Sequence, residues 1–246
     1  AHCVLSNHYH IVATDPHGEL PVFMHWLNEY VAKCINSRLG RWESFWAPGS
    51  YSAVALTDDE AVLNRLVYTY TNPVTAGLVR TCTQWPGARS SPEQMGKWEE
   101  VVKRPRGFFR DKGRVPEQAT LRLVAPASLG SDRSRWLPAL QERVRERESE
   151  IRAQFAREGR RFLGRRGVLK QSPFSRPCKA EPRRGLNPRV ATRDKWKRIE
   201  SLQRLKSFLQ AYREAWSAYV GGDRAVSFPF GTYAMRVRFG VRCNGP

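Results

Sequence analysis

The chain of 246 residues is poor in cysteine, and its five (Cys3, Cys34, Cys82, Cys178, Cys243) are scattered without a CxxC pair. An odd, dispersed set excludes both a disulfide framework and a zinc ribbon, and fits a reducing, intracellular compartment. No apolar run is long enough to span a membrane, and no signal peptide is visible. The expected location is therefore the cytoplasm, with no membrane partner. No segment repeats internally. Acidic residues are also scarce: 23 Asp and Glu face 42 Lys and Arg, a formal charge of +19. The first eighty residues hold five basic groups and seven acidic ones, so the whole positive excess lies beyond them. A field of that size favours a polyanion, above all a nucleic acid, over a small neutral substrate. A basic tail without fixed structure is the bland alternative. The length suffices for one large domain or two modest ones.

Residues His2 to Leu5 and His8 to Thr14 read as two strands joined by a polar turn at Ser6-Asn7. Apolar residues at helical spacing from Leu20 to Leu39, closed by Gly40, predict a helix. Tyr51 to Leu56 alternates as a strand does. Thr57-Asp58-Asp59-Glu60 is a capping box opening a further helix. On that helix Val62, Leu63, Leu66, Val67 and Tyr70 share one side, while Asn64, Arg65, Tyr68 and Asn72 share the other. Tyr70 is thus a core residue and Tyr68 lies on a polar stripe, one turn before Asn72. Residues 83–135, rich in Pro, Gly and Ser, suggest a connector with a short strand at Thr120 to Val124. Two long helices follow, one lined by Leu137, Leu140, Val144, Ile151 and Phe155, the other by apolar residues from Trp196 to Tyr219. Gly164 to Arg193 between them is too polar and broken to be regular, and Val226 to Val241 reads as turn and strand.

The chemistry starts at Ser6-Asn7-His8-Tyr9-His10-Ile11-Val12. Side chains alternate faces along a strand, so His8 and His10 point the same way and form half of a metal site. A His-x-His pair arises often by chance, and on a solvent-facing hairpin it is two ordinary polar residues. Tyr68-Thr69-Tyr70-Thr71-Asn72-Pro73-Val74, followed by Ala76-Gly77-Leu78-Val79, changes its weight. A divalent metal on His8, His10 and the Asn72 oxygen would polarise a phosphodiester, and Tyr68 would attack phosphorus. Asn72 has a second reading, as a helix cap before Pro73.

Together these two motifs resemble the single-tyrosine HUH transposases, particularly the REP-associated tyrosine transposases of bacteria. The resemblance covers roughly residues 1–90. It implies an α+β fold, a small antiparallel sheet with helices on its faces, of the ferredoxin-like HUH endonuclease type. It implies Tyr68 as nucleophile, His8, His10 and Asn72 as metal ligands, Mg²⁺ or Mn²⁺ as cofactor, and single-stranded or hairpin DNA as substrate. Imidazole is not the preferred ligand of Mg²⁺. It further implies a nucleoid-associated monomer or homodimer that cleaves and rejoins DNA through a 5′-phosphotyrosine. A strand and helix that usually precede the hairpin in this family are lacking here, and the chain opens on Ala1 within a strand. The expectation is an N-terminally truncated catalytic domain with an open sheet edge. Phe228 to Tyr233 resembles the tail of one subgroup.

The domains expected are 1–90, catalytic; 91–135, connector; and 136–246, a basic, mostly helical DNA-binding region. Arg41 and Arg65 are candidate DNA contacts. Trp42, Phe45 and Trp46 suit base stacking or a core equally well, and Arg160-Arg161 and Arg165-Arg166 suit phosphates or a solvated face. His2, His17 and His25 are ordinary polar residues. Two other functions remain open: a nucleic-acid-binding relative without catalysis, and a replication-initiation nickase.

Overall fold

The computed structural model describes residues 1–47, 51–110, 112–113, 115–130, 132–175 and 188–245. It is a mixed α+β protein whose strands form small two-stranded sheets. The chain divides into two compact units that interleave in sequence: Ala1–Ala13 with Asp58–Leu186, and Thr14–Thr57 with Asn187–Pro246. This partition differs from one drawn along the chain at residues 90 and 135. The helix expected in the basic C-terminal region packs against the one that carries Tyr68, and their buried side chains form a single core.

In the first unit, β1 (His2–Val4) and β2 (Tyr9–Ile11) pair antiparallel, with Cys3 opposite His10. The Leu5 N–H donates to the His8 carbonyl at 2.8 Å and closes the turn at Ser6-Asn7. The outer edge of β1 is not open, as the sequence suggested it would be. Segment 88–90 covers it: the Val4 N–H donates to the Ala88 carbonyl and the Ser90 N–H to the His2 carbonyl, each at 2.9 Å. The Trp85 indole N–H donates to the Val4 carbonyl at 2.9 Å. These groups are thereby satisfied without a further full strand.

The helix α2 of this unit, Asp59–Thr75, begins one residue later than the capping box implies. Asp58, not Thr57, is the cap, its carboxylate accepting from the Ala61 N–H at 2.7 Å. Glu60 instead accepts from Arg143 at 3.0 Å. The helix runs through Pro73 and ends in a Schellman motif. The Gly77 N–H donates to the Val74 carbonyl at 2.9 Å and the Leu78 N–H to the Pro73 carbonyl at 3.0 Å. Gly77 has φ 72° there, which only glycine adopts freely.

β4 (Glu99–Lys103) and β5 (Gln118–Arg122) form a second antiparallel hairpin. The expected connector thus holds two strands rather than one, and Trp85 and Met95 within it are core residues. Helix α3, Arg133–Arg157, contributes Trp136, Leu140, Val144, Ile151 and Phe155 to the same core as Leu66, Tyr70 and Val74 of α2. A short helix α4, Gly164–Lys170, occupies part of a stretch expected to be irregular, and residues 176–187 of that stretch lie outside the described residues, with Cys178.

In the second unit, α1 spans Leu20–Leu39 and stops at Gly40 in the left-handed conformation, φ 63°, as its sequence predicts. The strand expected at 51–56 shortens to β3, Ala55–Leu56, which pairs in parallel with β6, Val190–Ala191. The long amphipathic helix is α5, Lys195–Val220. The tail holds β7 (Ser227–Phe228) and β8 (Arg242–Cys243), paired in parallel. Between them lies α6, Ala234–Phe239, where turn and strand were expected. Ala215, Phe228, Met235 and Val241 form its core, with Tyr212 and Tyr219 against it.

Candidate active site

The hairpin and α2 bring His8, His10 and Tyr68 together. The His10 ring stands edge-on to His8 and to Tyr68, each at 5.0 Å between centroids. Tyr68 is 39% exposed and Tyr70 is 3% exposed, so the helix presents the first and buries the second. Burial pushes the Tyr70 hydroxyl proton well above the usual phenol range, which makes it a poor nucleophile. The Arg65 guanidinium lies 5.3 Å from the Tyr68 ring centroid, where a phosphate reaching Tyr68 would meet it.

The two histidines differ in surroundings. His8 is exposed, and its Nδ1 lies 2.7 Å from the Asn7 side-chain oxygen. Asn7 was not singled out in the sequence; the signal was its position directly before the first histidine. His10 is half-buried and its Nε2 has no hydrogen-bond partner. Burial, then the neighbouring His8 and Arg65, pushes its pKa from 6.5 down to about 4. At neutral pH it is uncharged, as a metal ligand must be.

Asn72 departs from the sequence reading in two ways. It is 5% exposed rather than on a polar stripe, and it lies inside α2 rather than capping a helix at Pro73. The second half of α2 is packed by β1, α3 and the turns at Cys82–Gln84 and Ala127–Leu129, which enclose Asn72 while Tyr68 and Thr75 stay exposed. Thr69 and Thr71 tolerate this enclosure by donating their hydroxyls to the Arg65 and Val67 carbonyls, at 2.8 and 2.9 Å. The Asn72 side-chain oxygen has no such partner. A buried, unbonded amide oxygen costs about 1–3 kcal/mol and calls for an explanation.

His10 Nε2 and Asn72 Oδ1, each buried without a partner, are the donor types a divalent cation takes. Among the described residues no three His, Cys, Asp or Glu side chains gather as a metal-binding group. A cation here would rest on two imidazoles and one amide, a set that suits Mn²⁺ better than Mg²⁺.

Arg41 lies in the other unit, exposed and paired with Glu43 at 3.2 Å. Beside it Trp42 is 90% exposed, while Trp46 donates its indole N–H to the Asn28 carbonyl at 2.8 Å and packs edge-on to Phe45. Among the described residues no helix is long and apolar enough to cross a membrane. No protein-family model, curated protein or solved structure matches the chain.

Proposed function

We propose that the protein is a metal-dependent transposase of the single-tyrosine HUH type, cleaving and rejoining single-stranded DNA at hairpin-bearing sites. The observation that carries this reading is the contact of His10, whose buried Nε2 lacks a partner, with both His8 and Tyr68. On this reading the β1–β2 hairpin, segment 88–90 and α2 correspond to part of the family's antiparallel sheet with helices on its faces. His8, His10 and Asn72 would hold Mg²⁺ or Mn²⁺, which supplies positive charge to a non-bridging phosphate oxygen.

The residues of the chain account for the remaining steps. Arg65 pairs with the phosphate next to Tyr68. The Tyr68 oxygen loses its proton to solvent and bonds to phosphorus, and the bond from phosphorus to the 3′-oxygen breaks. The leaving 3′-oxygen takes a proton, giving a free 3′-hydroxyl and a 5′-phosphotyrosine. The phosphotyrosine link conserves the ester, so a second 3′-hydroxyl can displace Tyr68 and rejoin the strand. Basic residues of the first unit beyond α2 grip the flanking backbone.

Labelled hairpin-bearing single strands with Mn²⁺ should form a covalent adduct visible on a denaturing gel. The adduct should disappear with EDTA and in Tyr68→Phe, and persist in Tyr70→Phe. An unchanged adduct in Tyr68→Phe overturns the assignment. DNA binding without cleavage is the second reading, favoured by the small size of the sheet that carries the histidines. Salt-sensitive binding with no adduct under any metal would select it.

A further inference from the structure

Beyond the end of α2, the first unit carries a groove of about 640 Å³ lined by Arg80, Arg152, Arg160, Arg161 and Arg165, with no carboxylate in its wall. A recess of about 380 Å³ adjoins it, sharing Arg80, Gln84 and Arg152. Arg152 faces Glu148 at 3.6 Å and Arg160 faces Glu158 at 3.1 Å. Arg80, Arg161 and Arg165 have no acidic partner within 4.0 Å among the described residues. Like charges gathered in a concave wall repel one another and focus a positive potential outward, which an anion relieves.

The wall is built rather than incidental. The Leu163 N–H donates to the Gly77 carbonyl and the Gly164 N–H to the Leu78 carbonyl, each at 2.9 Å. These bonds tie the arginine-bearing loop to the stop of α2. Arg152 donates to the Arg80 carbonyl at 3.2 Å. Phe155 and Phe162 stack at 4.6 Å, and the Arg160 and Arg80 guanidiniums lie 3.9 and 5.7 Å from their centroids. Phe155 is buried, so its ring holds the Arg160 guanidinium in place rather than offering a face to a base.

We propose that this groove binds the phosphodiester backbone of single-stranded DNA, with Arg80, Arg161 and Arg165 contacting successive phosphates. Two recesses sharing a wall make a track longer than one phosphate requires, which favours a strand over a small anion; the smaller recess also carries Arg145 and Glu148, the latter facing Arg152. The choice of DNA rests on the strand-transfer reading; the groove itself does not. It holds the strand without reading its sequence, because its contacts are to phosphate alone.

The test is fluorescence anisotropy of a labelled single-stranded oligodeoxynucleotide with EDTA present, across a salt series. The variants are a triple Arg80→Ala, Arg161→Ala, Arg165→Ala and a control triple on α5, Arg198→Ala, Lys206→Ala, Arg213→Ala. Circular dichroism checks that both fold. The groove variant should bind about 10-fold or more weakly, and its slope of log affinity against log salt should fall by about 2. The control, with the same loss of charge, should change much less. A groove variant that matches the wild type, or that loses no more than the control, overturns the proposal. Tighter binding of an RNA of the same sequence overturns the choice of DNA. If groove substitution abolishes binding but the wild type never forms an adduct, strand transfer fails and the groove stands. If the adduct forms and groove substitution leaves binding intact, the groove fails and strand transfer stands.

Discussion

At the scale of single residues, the candidate site comprises exposed groups, His8 and Tyr68, and two buried polar atoms that lack partners, His10 Nε2 and Asn72 Oδ1. His10 shows the consequence for stability. Its pKa is about 4 in the folded chain against an ordinary 6.5. On acidification the unfolded chain therefore takes up this proton first, and each proton taken up favours unfolding. The contribution of His10 is complete above about pH 6.5 and is lost as the pH falls toward 4. Thermal melts in EDTA should show a fall in midpoint across that window, and His10→Gln should flatten it. A variant melting curve that keeps the wild-type pH dependence would show that His10 is not the group responsible. The same residue scale holds the contrast between Tyr68 and Tyr70, which helical periodicity predicts and the exposures bear out. Asn72 shows where periodicity stops being informative. A helical wheel has two sides, but in the second half of α2 the neighbours enclose Asn72 and leave Tyr68 and Thr75 exposed.

At the scale of elements, α2 is organised around where it ends. Its Schellman motif turns the chain so that Leu78 and Val79 enter the core and the arginine loop can bond to the Gly77 and Leu78 carbonyls. A methyl group on Gly77 would meet Phe155 at 2.9 Å in addition to the left-handed φ. Gly40, which ends α1 at φ 63°, has nothing within 4 Å of the same position. Gly40→Ala should therefore cost only the backbone term, about 1–2 kcal/mol. Gly77→Ala should cost more, by the strain of moving a buried phenyl ring, about 1–3 kcal/mol further. Urea unfolding of the two variants checks this; equal losses would show that Phe155 yields freely. The elements themselves were largely legible. The bounds of α1, the existence of α3 and α5, and the β1–β2 hairpin all follow from period and punctuation. The missed elements are short ones, such as α4, α6 and β4. Too few residues repeat there for a period to stand out, and long-range pairing decides the state.

At the scale of the whole molecule, two units are assembled from interleaved segments, and a division along the chain does not describe them. Cysteine chemistry reports on this arrangement. Cys3 and Cys82 are buried in the first unit, and burial pushes their thiols up to about 11 and about 12. Glu148, whose carboxylate accepts the Cys82 N–H at 2.6 Å, adds to the second shift. Cys34 and Cys243 are partly exposed. Alkylation of the folded protein at mildly basic pH should modify Cys34 and Cys243 and spare Cys3 and Cys82 until denaturant is added. Peptide mapping by mass spectrometry reads the order, and early labelling of Cys82 would contradict the core described for this unit.

The sequence by itself determined what depends on neighbours within one or two turns of chain. Side-chain alternation placed His8 and His10 on one face, helical period exposed Tyr68 and buried Tyr70, and Gly40 marks a helix end. Charge counting alone located the whole positive excess beyond the first eighty residues. Only the tertiary structure decided which of these pieces meet. It put His10 against Tyr68, enclosed Asn72, covered β1 with segment 88–90, and gathered Arg80 with Arg152, 72 residues apart. Local propensity is set by bonds along the chain. Such meetings are set by which apolar faces bury together, and no short stretch of sequence contains both partners of that choice.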